Sequence, residues 1–416
     1  MPIRPPSTPA RLAARAALAL LVATLAACGG GSSGSAGAPG NGDAPTQGTN
    51  TGGARLSAAA DLGRQIFNDA SLSASGRQSC ASCHDPAHAF GPTNDFSVPL
   101  GGADGTTVGF RAAPSLRYLN RTPAFHFDVD GTPVGGFDRD GRADSLRAQA
   151  HRPFLAPHEM ANADAAAVVA KLAQAPYAAA FRAQFGDQVF ADAEAAFDRA
   201  TYALQQFETE DPAFSPFTSR FDAFLAGTAS LTDAEMRGFA LFNSQAKGNC
   251  ASCHLSARQA DGTPPLFTDF TYDNLGVPRN PLIPATADPS YFDLGLCGPD
   301  RTDGLAVTRP DLCGAFKVPT LRNVATRHSF FHNGRFATLD ETLRFYVTRD
   351  TDPARWYPTV DGVVQKFDDL PPPYRRNVNT TEAPYNRRPG MAPALDDAEI
   401  ADLVAFLSTL TDADLR

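Results

Sequence analysis

The sequence contains little tryptophan, methionine or cysteine: its 416 residues include one, four and seven of them, respectively. It has no block of basic residues, and its formal net charge of −9 argues against nucleic acid as a ligand. Sustained alternation of apolar and polar residues is also absent, which argues against a fold built on large sheets. Only one long apolar run occurs, close to the N-terminus, so we expect the rest of the chain to be soluble.

The N-terminus has the features of an export signal. Three arginines precede an apolar run, residues 16–27, that is too short to span a bilayer as a helix. The run leads into Leu-Ala-Ala-Cys, which resembles the lipobox of bacterial lipoproteins, with Cys28 as the acylated residue. The alternative is an ordinary secretory signal followed by a chance cysteine. We therefore predict a lipoprotein-type signal over residues 1–28 and a periplasmic protein tethered to the membrane.

Residues 29–53 predict a flexible tether. Gly, Ser, Ala, Pro, Asn and Thr dominate this stretch, and Asp43 is its only charged residue. Such a composition cannot bury a hydrophobic core. The rest of the chain is long enough for two domains, which we place at residues 54–225 and 226–416.

The pentapeptide Cys-Ala-Ser-Cys-His occurs twice. In an exported protein this spacing is the attachment signal for c-type haem: the two thiols bond to the haem and the adjacent histidine binds the iron. A redox-active Cys-x-x-Cys would not need the histidine, and a zinc site would need two more ligands nearby. The sequence therefore predicts two covalently bound haem c groups, attached through Cys80, Cys83 and His84 and through Cys250, Cys253 and His254.

Two further cysteines, Cys297 and Cys313, are expected to form a disulfide, because the compartment is oxidising. Closing a loop of this size contributes about 3 kcal/mol in the chain-entropy model. We assign this pair a structural role only.

Helical periodicity recurs along the chain. Apolar residues at helical spacing precede each haem motif, at residues 62–67 and 236–242, and recur in a C-terminal helix over residues 395–410. Thr232 and Glu235 form a capping box, and Ser215-Pro216 predicts a further helix beginning at Phe217. The predicted fold is mainly α, with two cytochrome c-like domains, one haem c in each, and long loops.

The order of these features resembles a known family, the bacterial dihaem cytochrome c peroxidases and their MauG-like relatives. The resemblance extends from about residue 62 to residue 410. Four stretches carry it, residues 72–90, 140–160, 316–346 and 395–412. It implies a peroxidase with an N-terminal peroxidatic haem and a C-terminal electron-transfer haem.

The resemblance also implies two catalytic residues. In the family, a glutamine and a glutamate ten residues later face the open side of the first haem, and Gln149 and Glu159 occupy the matching positions. Cleavage of peroxide requires that a proton leave one oxygen and reach the other, and one carboxylate can do both. Without the resemblance, Glu159 would be read as a solvent-exposed acid.

Family members often close the first iron with a distal histidine, but residues 91–111 contain none. His88 lies four residues after His84, and we expect it on the same helical segment and the same side of the haem. The first iron is therefore predicted to be open to peroxide without prior reduction.

The second haem has two candidate ligands. In MauG-like enzymes a tyrosine lies fifteen residues after the phenylalanine of a Phe-His pair, and counting from Phe331 gives Tyr346. Met391, in the loop before the last helix, is the alternative, as in small cytochromes c. A tyrosinate favours ferric iron, whereas a thioether favours ferrous iron.

The chain departs from the family between the haems. A tryptophan is usual before the Asp-Gly-Arg triplet, but this sequence has Arg139 there, and its one tryptophan, Trp356, lies elsewhere. The family's inter-haem calcium usually binds an asparagine, replaced here by Ala112, while carbonyls of Arg327 and Ser329 would supply two ligands. The sequence thus supports calcium only weakly.

We therefore predict an oxidoreductase of the cytochrome c peroxidase type. It would reduce hydrogen peroxide to water with electrons from a small donor protein, either a cytochrome c or a copper protein. Two alternatives stay open. One is a MauG-like enzyme that uses peroxide to oxidise side chains of a partner protein, and the other is a dihaem electron carrier.

Overall fold

The computed structural model describes residues 55–92 and 96–415. The described residues belong to one compact unit. The predicted signal, Cys28 and the tether lie outside the described residues, so they stay predictions.

The described chain is mainly helical, as predicted. Most of its helices are short, and long loops connect them. The α-helices of the described residues are α1 (Ala58–Asn68), α2 (Cys80–Cys83), α3 (Leu146–Leu155), α4 (Ala165–Leu172), α5 (Ala178–Phe185), α6 (Ala193–Glu210), α7 (Arg220–Leu225), α8 (Asp233–Asn243), α9 (Leu305–Thr308), α10 (Leu339–Thr348) and α11 (Asp397–Ser408).

The strands are two residues long and pair as antiparallel ribbons. The pairs are β1 (Leu100–Gly101) with β2 (Thr107–Val108), β3 (His126–Phe127) with β4 (Pro133–Val134), β5 (Tyr272–Asp273) with β6 (Phe316–Lys317), and β7 (Thr359–Val360) with β8 (Val363–Val364). Such ribbons fasten loops together and do not form a layer of the core.

Two large hydrophobic cores lie one after the other along the sequence. The first draws its buried residues from Leu62 to Phe214, and the second from Phe221 to Leu410. In the first, α1, α3 and α4 pack against α6, and in the second, α8 and α10 pack against α11. A division into two haem domains near residue 225 stays a prediction.

The same close helix crossing occurs in both cores. A Cβ atom on Gly63 of α1 would lie 2.0 Å from the carbonyl oxygen of Ala203 on α6. A Cβ atom on Gly238 of α8 would lie 2.0 Å from that of Asp402 on α11. Any side chain at either glycine would push the two helices apart, so glycine is required at both crossings.

Local signals explain where several helices begin. The predicted capping box of Thr232 and Glu235 starts α8. The predicted helix start at Phe217 is wrong: Phe217 has φ +48°, and α7 begins at Arg220 after the N-cap Ser219. Ser219 and Asp222 form the capping box there, because each side chain accepts from the other's backbone N–H.

The predicted disulfide between Cys297 and Cys313 is confirmed. It closes a loop of 16 residues beside the β5–β6 ribbon. None of the helices in the described part of the chain combines the length and the apolar character needed to cross a membrane.

Candidate functional site

The first Cys-x-x-Cys-His motif is held in a defined geometry. Cys80 to Cys83 form α2, and Ser79 and Ser82 cap its N-terminus. The Nδ1 atom of His84 lies 3.0 Å from the carbonyl oxygen of Phe90. Because a carbonyl can only accept, Nδ1 carries the proton and Nε2 keeps its lone pair for a metal ion.

The second motif repeats this arrangement. The Nδ1 atom of His254 lies 2.8 Å from the carbonyl oxygen of Phe267. Both acceptor residues, Phe90 and Phe267, are buried and have left-handed φ values of +52° and +54°. Bulky residues rarely adopt such values, and backbone strain of this kind clusters at functional sites. The repetition indicates that both histidines are oriented for one task.

The four motif thiols are free, and their residues are partly buried. Burial raises the pKa of Cys80 and Cys250 to about 12 and of Cys83 and Cys253 to about 11. Redox-active cysteines need a lowered thiol pKa, whereas burial raises it here. In addition, no cluster of three or more metal-binding side chains occurs in residues 55–92 and 96–415. These observations argue against the redox and zinc alternatives.

One connected cavity is lined by both motifs. Most of its lining is apolar, with Phe154, Phe242, Leu343 and Leu403 among the side chains that face it. His84 and His254 both border it. An apolar cavity bordered by two such motifs, each with paired thiols and an available imidazole, has the donor set that c-type haem requires.

Gln149 and Glu159 both line this cavity, and the charge of Glu159 acts on His84 of the first motif. Gln149 projects from α3, and its Nε2 donates to Oδ1 of Asp138 at 3.3 Å. Burial raises the pKa of Asp138. Glu159 follows α3 in a loop, with its side chain 33% exposed and its Oε1 3.5 Å from Nε2 of His158.

The Glu159 carboxylate acts electrostatically on the first motif. Burial lowers the pKa of His84, while the Phe90 hydrogen bond and the Glu159 charge oppose this shift. Burial is the main cause of the raised pKa of Cys83, and the charge of Glu159 is the second cause. Glu159 thus lies within electrostatic range of the predicted iron ligand.

His88 is placed differently from the prediction. It lies in a separate short 3-10 helix, Pro86–His88, and His84 lies outside both helices. The backbone turns at Asp85, whose carboxylate caps the second helix. The His88 side chain is 42% exposed and contacts Asp85 at 3.2 Å. The expectation that His84 and His88 share one helical segment is therefore wrong.

Tyr346 and Met391 lie in contrasting environments. Tyr346 projects from α10 into the cavity wall, where its ring lies 5.5 Å from that of Phe331 and 6.0 Å from that of Tyr385. Burial raises its pKa, with further contributions from Cys250 and Cys253 of the second motif. Met391 is 49% exposed and is not part of the cavity lining.

At the weakly supported calcium position, arginine donors hydrogen-bond to the carbonyl of Ser329, one of the two expected ligands, and to the carbonyl of Ala112. Arg139 Nε donates to the carbonyl of Ala112 at 2.9 Å, and Arg327 Nε donates to that of Ser329 at 3.3 Å. Trp356 is buried against Phe336 and Phe345, away from the cavity lining.

Several cavity residues were missed by sequence reasoning. Glu208, on α6, is 7% exposed, and its Oε2 has no hydrogen-bond partner. Tyr385 is buried, and the Arg349 guanidinium lies 4.5 Å from its ring centre. Lys317, at the end of β6, also faces the cavity. The local sequences of Glu208 and Tyr385 carry no motif. Lys317 falls within a stretch that carries the family resemblance, but only tertiary contacts reveal its place on the cavity wall.

Comparisons with known proteins agree on one family. A family profile described as di-haem cytochrome c peroxidase matches residues 57–230. Methylamine utilization protein MauG of Paracoccus denitrificans is 38% identical over 366 residues, covering 85% of this chain and 89% of that protein. Cytochrome c551 peroxidase of Nitrosomonas europaea is 30% identical over 294 residues, covering 68% and 71%. The crystal structure of the diheme peroxidase BthA from Burkholderia thailandensis has 44% identity and a TM-score of 0.80, covering 86% of this chain and 87% of that one.

Proposed function

The chain belongs to the family of di-haem cytochrome c peroxidases and MauG proteins, and from that premise we propose that it reduces hydrogen peroxide to water. The two electrons would come from a small redox protein, a cytochrome c or a copper protein. Two protons complete the balance, so that one peroxide yields two waters. The observation that carries this proposal is the Glu159 carboxylate on the cavity wall, within electrostatic range of His84, with Gln149 lining the same cavity.

The family implies two c-type haems, and we propose that the two Cys-x-x-Cys-His motifs hold them. Each haem would supply an iron able to bind ligands and exchange electrons. The carbonyls of Phe90 and Phe267 fix the tautomer and the ring orientation of His84 and His254. The apolar lining keeps bulk water away from the iron.

Glu159 is proposed as the general acid–base group. Its carboxylate would accept the proton from one peroxide oxygen and return it to the other. His158, 3.5 Å away, can exchange protons with it, and the partial exposure of Glu159 connects the pair to solvent. Gln149 is restrained by its hydrogen bond to Asp138, so its amide is positioned to orient peroxide. Groups of this kind contribute roughly 10²–10⁴-fold to rate.

The second haem is proposed as the site where electrons enter or oxidising equivalents are stored. Its iron would bind Tyr346, a proposal supported by the position of Tyr346 on the cavity wall and by the exposure of Met391 outside it. Tyrosinate disfavours the ferrous state, so this haem would have a low potential.

A MauG-like activity on a partner protein is the second candidate. It is favoured by the 38% identity to a MauG protein over most of both chains and by the tyrosine at position 346. The periplasmic location and a lipid anchor at Cys28 are also proposals, since that residue lies outside the described part of the chain.

Steady-state turnover tests this function. Purified protein is mixed with hydrogen peroxide and a reduced small cytochrome, and oxidation of the cytochrome is followed by absorbance. We expect turnover that falls by roughly two to four decades in Glu159→Gln. Glu194→Gln, the same change at an exposed residue of α6, should have no effect. No turnover, combined with a peroxide-dependent mass change in a co-purified protein, would favour the MauG-like activity instead.

A further inference from the structure

Three cationic side chains face the cavity without a carboxylate partner. Arg139, Lys317 and Arg327 all line it, and none forms an ion pair with an acidic residue of the described chain. Their hydrogen bonds go to backbone carbonyls. These bonds join Arg139 to Ala112 at 2.9 Å, Arg327 to Ala113 at 2.9 Å and to Ser329 at 3.3 Å, and Lys317 to Gly136.

A neighbouring arginine of the same cavity wall, Arg111, is paired with two carboxylates. Arg111 donates to Asp140 and to Asp293, each at 2.7 Å, and these carboxylates raise its pKa. The three unpaired cations show the opposite behaviour. Burial lowers the pKa of Lys317 to about 8, of Arg139 to about 9 and of Arg327 to about 10.

Mutual repulsion adds to this imbalance. The charges of Arg327 and Arg111 lower the pKa of Arg139 further, against a smaller opposing effect of Asp293. At Lys317 the charges of Asp138 and Asp140 oppose the effect of burial, and the charge of Arg139 adds to it. Burying uncompensated charges is costly, and the cost is recovered only when counter-charges and hydrogen bonds satisfy them. Backbone carbonyls supply hydrogen bonds but no net negative charge. The more distant carboxylates of Asp138, Asp140 and Asp293 offset the burial of Lys317 and Arg139 only in part, since both pKa values stay lowered. A bound anion would complete the compensation.

We propose that Arg139, Lys317 and Arg327 form a receptor for the carboxylate groups of the haems, their propionates. This inference rests on the haem attachment proposed above and is independent of peroxide turnover. Carboxylates suit these donors because guanidinium and ammonium groups bind them through charge-assisted hydrogen bonds. Arg327 lies closest to the first site, since its charge also acts on His84.

In this receptor Arg139 would place a positive charge beside a propionate, which the family's tryptophan could not do because it is uncharged. A positive charge beside a propionate reduces the negative potential around the iron. The reduced state is then favoured, so removal of the cation should make the haem harder to reduce. Loss of Arg139 should lower the reduction equilibrium constant of at least one haem by about tenfold, or about 59 mV for one electron.

The test uses the holoprotein and compares charge-removing with charge-conserving variants. Arg139→Gln and Lys317→Met remove a cation, whereas Arg139→Lys and Lys317→Arg retain it. Arg199→Gln, on the exposed side of α6, controls for the overall change in charge. Midpoint potentials are measured by spectroelectrochemistry from pH 5 to 9. In parallel, redox-induced infrared difference spectra are recorded with ¹³C-labelled haem carboxylates.

We expect lower potentials and shifted ¹³C carboxylate bands in the charge-removing variants, and values close to wild type in the other three. Unchanged potentials and bands in both Arg139→Gln and Lys317→Met would overturn the proposal. So would equal shifts in the charge-conserving variants, because these would indicate a purely structural effect. A wild-type protein with both haems but no peroxide turnover would refute only the proposed enzymatic function. Absence of covalent haem would overturn both.

Discussion

The burial of Glu208 at the cavity wall can be tested through the pH dependence of protein stability. Its carboxyl group is buried at the wall near Cys80, and one of its oxygens has no hydrogen-bond partner. Burial alone raises its pKa from 4.5 to about 8. Between about pH 4.5 and pH 8, the Glu208 carboxyl is therefore protonated in the folded protein and ionised in the unfolded chain.

The consequence for stability follows from proton linkage. Wherever the folded state binds more protons than the unfolded state, the free energy of unfolding falls as pH rises, by about 1.36 kcal/mol per pH unit for one group. From pH 4.5 to pH 7, this single carboxyl should therefore lower stability by about 3 kcal/mol. Glu208→Gln removes the titrating group while keeping a side chain of similar size.

Urea unfolding of the holoprotein, followed by circular dichroism at pH 5, 6, 7 and 8, measures this effect. The variant should match wild type near pH 5 and become progressively more stable towards pH 8. Glu194→Gln, an exposed change on the same helix, should follow the wild-type curve. A constant difference between Glu208→Gln and wild type at all four pH values would refute a raised pKa for Glu208.

Three further predictions concern the second haem, the disulfide and calcium. Tyr346→Phe should raise the reduction potential of the second haem and Met391→Leu should not, as measured by redox titration; the reverse pattern would assign Met391 as the ligand. Replacing Cys297 and Cys313 together by serine should lower the free energy of unfolding by about 3 kcal/mol in urea, and no loss would contradict a stabilising role. Removal of calcium by a chelator should leave the haem spectra unchanged, because Ala112 lacks the side-chain oxygen of an asparagine and an arginine donor already hydrogen-bonds to the carbonyl of Ser329; altered spectra would indicate a bound ion.

The features that the sequence predicted well are local ones. The capping box of Thr232 and Glu235 and the last helix each depend on residues a few positions apart. The cysteine pair, Cys297 and Cys313, could be predicted because no other cysteines were left over. In such cases the physical cause lies within the motif itself.

Features created by packing could not be predicted in this way. Phe217 follows a helix-start signal but adopts a left-handed φ, and the competing capping box of Ser219 and Asp222 starts the helix three residues later. The left-handed conformation of Phe90 and the burial of Glu208 depend on contacts from distant parts of the chain. Neither leaves a trace in the local pattern.

Stopped-flow mixing of fully ferric protein with hydrogen peroxide, without any reductant, tests the central claim most directly. The claim is that the first iron is open and that Glu159 stands beside it. We predict an immediate change in the haem absorbance of the wild-type protein and a change slower by roughly two to four decades in Glu159→Gln. A spectrum that stays constant until an electron is supplied would contradict an open first iron, and an equal rate in Glu159→Gln would remove Glu159 from the mechanism.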